Sequence, residues 1–213
     1  MTRFLTACIV MMLGTTAPLL ADTESKTLQV ISAEQSALGN VTEVHLGRLL
    51  GLVPETPEDL YSAEWIDSQP KANGGNAWSC LTEALYFEAR GETVRGQMAV
   101  AEVILNRVDS KRFPSTVCRV VNQGTGRLHA CQFSYTCDGL PEHVAEKAAW
   151  IRAGKIAAVM LAGAPRALTN GATFYHTTAV KPSWASAFRK TARIGDHLFY
   201  RSYSSDVELA SAG

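Results

Sequence analysis

Apolar residues recur at helical spacing from Trp78 onward. Trp78, Leu81, Ala84 and Leu85 form one stripe, and Glu88 falls on the same stripe one turn later, just before Gly91 stops the pattern. The spacing predicts a helix over 76–90, with Asn76 as its N-cap. Glu88 is therefore expected in apolar surroundings at a helix end. Desolvation there raises the pKa of a carboxyl group and keeps a proton available near neutral pH. Glu83 lies about 140° around the same helix and is expected to face water. Gly91 and Glu92 make a corner, and Thr93 is the candidate cap of a second helix over 94–108. Met98, Ala99, Val100, Ala101, Val103, Ile104 and Leu105 make that helix apolar over most of its circumference, the pattern of a central buried helix.

Downstream, Phe113-Pro114-Ser115 ends the connection and caps a short predicted helix through Val121. Residues 122–139 read as a loop-rich stretch. Pro141 is placed as the first residue of a helix to Ala153, with another over 154–161. Residues 173–176 and 191–203 carry β-branched and aromatic side chains around Gly195-Asp196, which predicts short strands or a hairpin. Upstream, residues 22–76 hold prolines at 54, 57 and 70, no cysteine and few aromatics. They end in the turn-rich joint 71–76. That segment reads as a partly disordered linker, with a short helix around 57–66. The expected fold class is α+β and helix-rich, with a small β element. The expected organisation is a leader (1–21), an acidic segment (22–76), one folded domain (77–203) and a tail (204–213).

Composition changes this picture in three ways. Residues 1–21 have the form of an export signal: Arg3, then the apolar run from Phe4 to Leu20, then Ala21 before Asp22. A retained membrane anchor is the alternative, weakened by Thr6, Gly14, Thr15, Thr16 and Pro18, and no stable span is expected once the signal is removed. Removal takes Cys8 with it and leaves Cys80, Cys118, Cys131 and Cys137. An even number in an exported chain favours two disulfides, with three connectivities open. A zinc site using His129 beside Cys131 is the rival, but the spacings fit no familiar zinc module. Finally, the neutral total conceals a split. Residues 22–75 hold nine acidic and three basic residues, a net charge of −6, whereas residues 76–213 hold eleven acidic and sixteen basic, a net charge of +5. A basic domain suits an anionic polymer. The absence of a basic run interleaved with aromatics disfavours nucleic acid.

The motifs ALYFEARGETVRGQMAVAEVILNRV, FPSTVCRVV, CQFSYTCDG, ATFYHTTAVKPSWA and RIGDHLFYR occur in that order over residues 78–201. Together they resemble the SleB/CwlJ family of bacterial cell-wall hydrolases. The resemblance implies a lysozyme-like fold, related to goose-type lysozymes and lytic transglycosylases, that cleaves peptidoglycan glycan strands without a cofactor. It places the catalytic acid on Glu88. The implied reaction is protonation of the glycosidic oxygen between N-acetylmuramic acid and N-acetylglucosamine, then capture of the oxocarbenium-like centre by the muramoyl 6-hydroxyl to give a 1,6-anhydro product. The four cysteines and the acidic segment are outside the family's core pattern. Peptidoglycan is the expected partner, and a regulatory protein of the cell envelope is a further one.

Each candidate residue has a plainer alternative. Glu88 can be a structural carboxylate paired with Arg90 or Arg107. Glu92 is a possible second acid, suited to an inverting hydrolase at a carboxylate separation of roughly 6.5–9.5 Å, or a charge at the N-terminus of the next helix. Asp138 is another candidate base, and Asp138-Gly139 is also an ordinary turn. Gln132, Phe133 and Ser134, flanked by cysteines, suit binding of sugar hydroxyl and N-acetyl groups, though Phe133 equally suits the core. Tyr175, His176 and Trp184 are candidate cleft walls, or core. His176 and His197 lack HExxH-type spacing, so no metal site is expected. No phosphate loop and no Gly-x-Ser-x-Gly elbow is present. The leading reading is a lytic transglycosylase. A hydrolytic muramidase and a non-catalytic peptidoglycan-binding protein are the alternatives.

Overall fold

The computed structural model describes residues 21–39, 47, 50, 54, 56–126 and 131–202. Residues 1–20 of the expected leader, His129 and the C-terminal tail lie outside the described residues. The chain divides into two units, residues 1–49 and 50–213. In the first, α1 (Ala21–Gly39) exposes its side chains over 26–36, so the acidic segment expected as a linker carries a helix.

The second unit is built around two long helices joined by a tight corner, α3 (Asn76–Ala89) and α4 (Val94–Asp109). On α4, Met98, Ala99, Val100, Ala101, Val103 and Ile104 are all fully buried, as the all-round apolar pattern predicts. Each large apolar side chain taken fully from water contributes about 1.5–3 kcal/mol before ordering costs. Thr93 caps α4 by accepting a hydrogen bond from the Gly96 N–H at 3.2 Å. The cap of α3 falls on Gly75 rather than Asn76, which is already helical. Thr116, not Ser115, caps α5 (Val117–Val121) by accepting from Arg119 N. Of the three cysteine pairings the chain allows, it adopts Cys80–Cys118, which ties α3 to α5, and Cys131–Cys137, which closes a short loop. Loop-closure entropy assigns about 4 kcal/mol to a crosslink of the first span and about 2 kcal/mol to the second.

The folded unit starts well before the glycine joint at 74–75. A 3-10 turn (Asp59–Tyr61) and α2 (Ala63–Ser68) replace the single short helix expected there. Leu60 and Ile66 are part of the core. Asp67 accepts two hydrogen bonds from Arg152, at 2.9 and 2.6 Å, fastening this segment to α6 (Lys147–Leu161).

α6 departs from expectation in two ways. Residues 141–146 are not helical, because the Tyr86 hydroxyl accepts hydrogen bonds from the Ala145 and Glu146 N–H groups and holds that strip against α3. Gly154 does not break the helix. Its missing side chain leaves room for the Trp78 ring, whose Nε1 donates to the Gly154 carbonyl at 2.8 Å.

The β element is a three-stranded antiparallel sheet in the order β1-β3-β2, from β1 (Phe174–Thr177), β2 (Arg189–Ile194) and β3 (His197–Arg201). β2 and β3 form the hairpin expected around Gly195-Asp196, with a register irregularity between Lys190 and Ala192. A 3-10 turn (Ser183–Ala187) leads into β2. The helix-rich α+β class is the one anticipated. Among the described residues no helix is long and apolar enough to cross a membrane.

Candidate active site

The end of α3 carries Glu88 to the point where the helices meet β1. Its Oε2 accepts a hydrogen bond from the Tyr175 hydroxyl at 3.1 Å. Burial raises the Glu88 pKa above the ordinary carboxylate value, and the Tyr175 hydrogen bond and the charge of Arg107 offset part of that rise. The outcome is a carboxyl group that holds its proton more tightly than an exposed one. Arg90, one of the two cations proposed to neutralise it, is turned elsewhere: its Nε donates to Glu146 at 2.9 Å.

Arg107, the other, acts on Glu88 through space from a buried position on α4. It is 1 % exposed, and its Nε donates to the Thr173 carbonyl at 2.7 Å. Its guanidinium carbon lies 5.4, 5.7 and 5.8 Å from the ring centres of Phe113, Phe133 and Phe174. Burial lowers its pKa to about 10, which leaves it charged at neutral pH. With its amide oriented to satisfy both groups, Gln132 accepts from the two terminal nitrogens of Arg107 at 3.2 and 3.3 Å. Gln132 thus joins the site through Arg107. Phe133 is 1 % exposed and is a wall of the arginine cage, so its ring is core and presents no open face to a sugar.

Tyr175 is held by the sheet. Its ring packs edge-on against His197 at 5.2 Å and beside Phe199 at 6.0 Å. Burial pushes its hydroxyl well above the usual tyrosine value, with the Glu88 charge adding to the effect, so it remains a donor. His176 is the next residue on β1, and strand alternation turns it to the opposite face. There Nδ1–H donates to the Thr177 carbonyl at 2.8 Å and Nε2 accepts from the Tyr200 hydroxyl at 3.0 Å. Trp184 joins that aromatic cluster, 5.5 Å from both His176 and Tyr200. The two candidate cleft walls His176 and Trp184 therefore sit together, away from the Tyr175 contact with Glu88.

Glu92 has a role that neither expectation named. Its Oε1 accepts from the Asp196 N–H and from His197 Nδ1, both at 2.9 Å, and so fastens the hairpin turn to the corner between α3 and α4. Gly195 has φ +56°, and a Cβ there would overlap the Glu92 carboxylate, so the turn needs glycine twice over. Asp138 is exposed and accepts from the Leu140 N–H at 2.8 Å, the turn alternative. Glu83 does not face open water as expected: partial burial raises its pKa, helped by the nearby charge of Glu142.

The loop closed by the Cys131–Cys137 link borders an open cavity of about 740 Å³. Ser134, Tyr135, Asp138 and Glu142 line it, together with the Cys131–Cys137 link. Tyr135 connects it to the site. Its ring stacks on Phe87, centroids 4.7 Å apart, and its hydroxyl pKa is raised, first by burial and then by the charges of Glu83, Glu88 and Glu142. Among the described residues the buried Tyr135 hydroxyl has no hydrogen-bond partner. Sequence reasoning missed Tyr135, and it treated Arg107 only as a rival explanation of Glu88. Among the described residues no group of three or more His, Cys, Asp or Glu gathers to hold a metal.

The cell wall hydrolase family profile matches residues 91–200, a range that begins three residues after Glu88. The chain is 30 % identical over 151 residues to a spore cortex-lytic enzyme of Halalkalibacterium halodurans, covering 68 % of this chain and 41 % of that protein. It is 44 % identical over 54 residues to the Bacillus subtilis spore cortex-lytic enzyme, covering 25 % and 18 % respectively. The chain thus spans well under two thirds of the length of the curated relatives it matches. Among solved structures it resembles the catalytic domain of the germination-specific lytic transglycosylase SleB from Bacillus anthracis, at 29 % identity and a TM-score of 0.48. That alignment covers 62 % of this chain and all of the other.

Proposed function

Because the chain belongs to the cell wall hydrolase family, we propose that it cleaves peptidoglycan glycan strands with Glu88 as general acid. The observation that carries this reading is the state of Glu88: half-buried at a helix end, raised in pKa by desolvation, and accepting from the Tyr175 hydroxyl. The residues 77–203 are read as the catalytic, lysozyme-like domain. Export through the leader is part of the proposal, and two disulfides suit an oxidising envelope compartment.

In the proposed reaction the Glu88 proton passes to the oxygen linking N-acetylmuramic acid to N-acetylglucosamine. The C1–O bond breaks and its electron pair stays on the departing oxygen. The muramoyl 6-hydroxyl then attacks the electron-poor C1, and its proton returns to the Glu88 carboxylate. Atoms balance without water, and the product is a 1,6-anhydro end. Arg107 lies close enough to influence the carboxylate electrostatically, and Tyr175 donates to it directly, so both stabilise the form that exists between the two proton transfers. The test is digestion of purified peptidoglycan followed by product masses. Anhydro ends are expected. Reducing ends, heavier by one water, would replace transglycosylation by hydrolysis, and co-sedimentation with no release would leave a binding protein.

A further inference from the structure

The cavity bordered by the Cys131–Cys137 loop is acidic. Asp138 and Glu142 line it, and among the described residues no cation does. The surrounding domain is basic, with sixteen basic and eleven acidic residues over 76–213, so the cavity reverses the sign of its setting. Glu83 adds a third carboxylate: the charge of Glu142 reaches it and helps to raise its pKa. None of these three acids forms an ion pair among the described residues. Asp138 is held in place without being neutralised, because its Oδ1 accepts from the Leu140 N–H at 2.8 Å. Tyr135 lines the same cavity and is 8 % exposed. Its ring stacks on Phe87, which lies one helical turn from Glu83 on the same face of α3. The Tyr135 hydroxyl is buried, has no hydrogen-bond partner among the described residues, and lies within reach of the charges of Glu83, Glu88 and Glu142. Buried hydroxyls are normally satisfied, so this one points to a bound group that satisfies it. Leu140, 69 % exposed, adds an apolar patch to the lining.

We propose that this cavity binds a primary ammonium group on an alkyl chain, the free side-chain amine of a diamino acid in a peptide stem carried by the glycan. The proposal rests on the peptidoglycan reading above and adds a recognition element to it. An ammonium has three N–H donors and no acceptor, which matches a lining of carboxylate and hydroxyl oxygens. Hydrogen bonds between two charged groups are roughly twice as strong as neutral ones. Carboxylates that repel one another in the free protein also gain a shared counter-charge. The apolar surfaces of Leu140 and the Tyr135 ring suit the methylene groups behind such an amine. A sugar amine, attached directly to its ring, has no such chain. The volume lies within the range for ligand sites, about 300–1,000 Å³. Tyr135 ties the cavity to the chemistry, since Phe87, on which it stacks, directly precedes Glu88.

The test uses the full chain carrying Glu88→Gln, so that binding is read without cleavage. Co-sedimentation is measured with intact sacculi, with sacculi whose free amines are capped by acetic anhydride, and with sacculi stripped of stem peptides by an amidase. Adding Asp138→Asn and Glu142→Gln, both at exposed positions, should weaken binding to intact sacculi about tenfold. The same pair should leave binding to acetylated and to stripped sacculi unchanged. Thermal melts confirm that the variant folds, and asparagine retains an oxygen for the Leu140 N–H. No loss on intact sacculi, or an equal loss on acetylated ones, overturns the proposal. A loss that persists on stripped glycan and disappears when that glycan is acetylated assigns the amine to the sugar and overturns the stem. Cleavage by the Glu88-intact chain is scored separately, so failure here is distinguishable from failure of the catalytic reading.

Discussion

Two adjacent helices each withdraw one glutamate from water, Glu102 fully and Glu88 in part, and the two sites are built oppositely. Glu102, in the middle of α4, has its oxygens filled by two backbone N–H groups and a hydroxyl, all from one loop. Glu88, at the end of α3, accepts from the Tyr175 hydroxyl and otherwise faces desolvation, with a buried cation acting at a distance. Burial alone therefore does not make a candidate acid. What separates them is how many donors the surrounding chain aims at the carboxyl group, and how completely it is closed off from solvent. Three donors make a staple that holds the loop leading to β1. One donor among the described residues, on a half-buried carboxyl group, leaves a proton that can be given away.

The contrast can be broken experimentally. Glu88→Gln should lower peptidoglycan cleavage by about 10²–10⁴-fold, measured as soluble product release, and retained activity would remove Glu88 from the mechanism. Glu102→Gln should cost about 3 kcal/mol of folding stability, because an amide nitrogen would face N–H donors. Urea unfolding measures this, and turnover per folded molecule should be unchanged. Glu88→Gln should also stabilise the fold above the ordinary carboxylate pKa. The native state, with its raised Glu88 pKa, holds more protons than the unfolded chain, so wild-type stability falls as pH rises above 4.5. The variant lacks that loss, and the difference between the two should vanish below 4.5. Equal curves at all pH values would mean that Glu88 is not desolvated. The smallest effect is expected from Tyr175→Phe. Its hydrogen bond lowers the Glu88 pKa, so removing it should move the alkaline limb of the rate profile to higher pH, with less than about a tenfold change in rate at neutral pH. A limb that moves down would contradict the assigned donor.

The pattern of apolar positions made the site partly legible. The stripe through Leu81 and Leu85 pointed to Glu88, and the same reasoning would have found more. Glu102 and Arg107 lie within the apolar run of α4, whereas Arg95 and Asp109 lie near its ends, so these two inner charges had to be buried and satisfied. That signal was present and went unused. Glu92 was not readable in this way. Its partners, Asp196 and His197, are more than a hundred residues distant, and only the folded hairpin brings them to it. Pro141 misled for a related reason: proline favours a first helical turn, but two hydrogen bonds to the Tyr86 hydroxyl override the local preference.

The sequence by itself determined the long helices, the corner at Gly91, the hairpin at Gly195-Asp196 and the acid on the apolar stripe. Those are fixed by local periodicity, capping and turn chemistry, which act over a few residues. Only the tertiary structure decided which cysteines pair, which of two adjacent side chains on β1 meets Glu88, and where each buried charge finds its partners. Those outcomes depend on groups distant in the chain coming within hydrogen-bond range, and no local pattern encodes that distance.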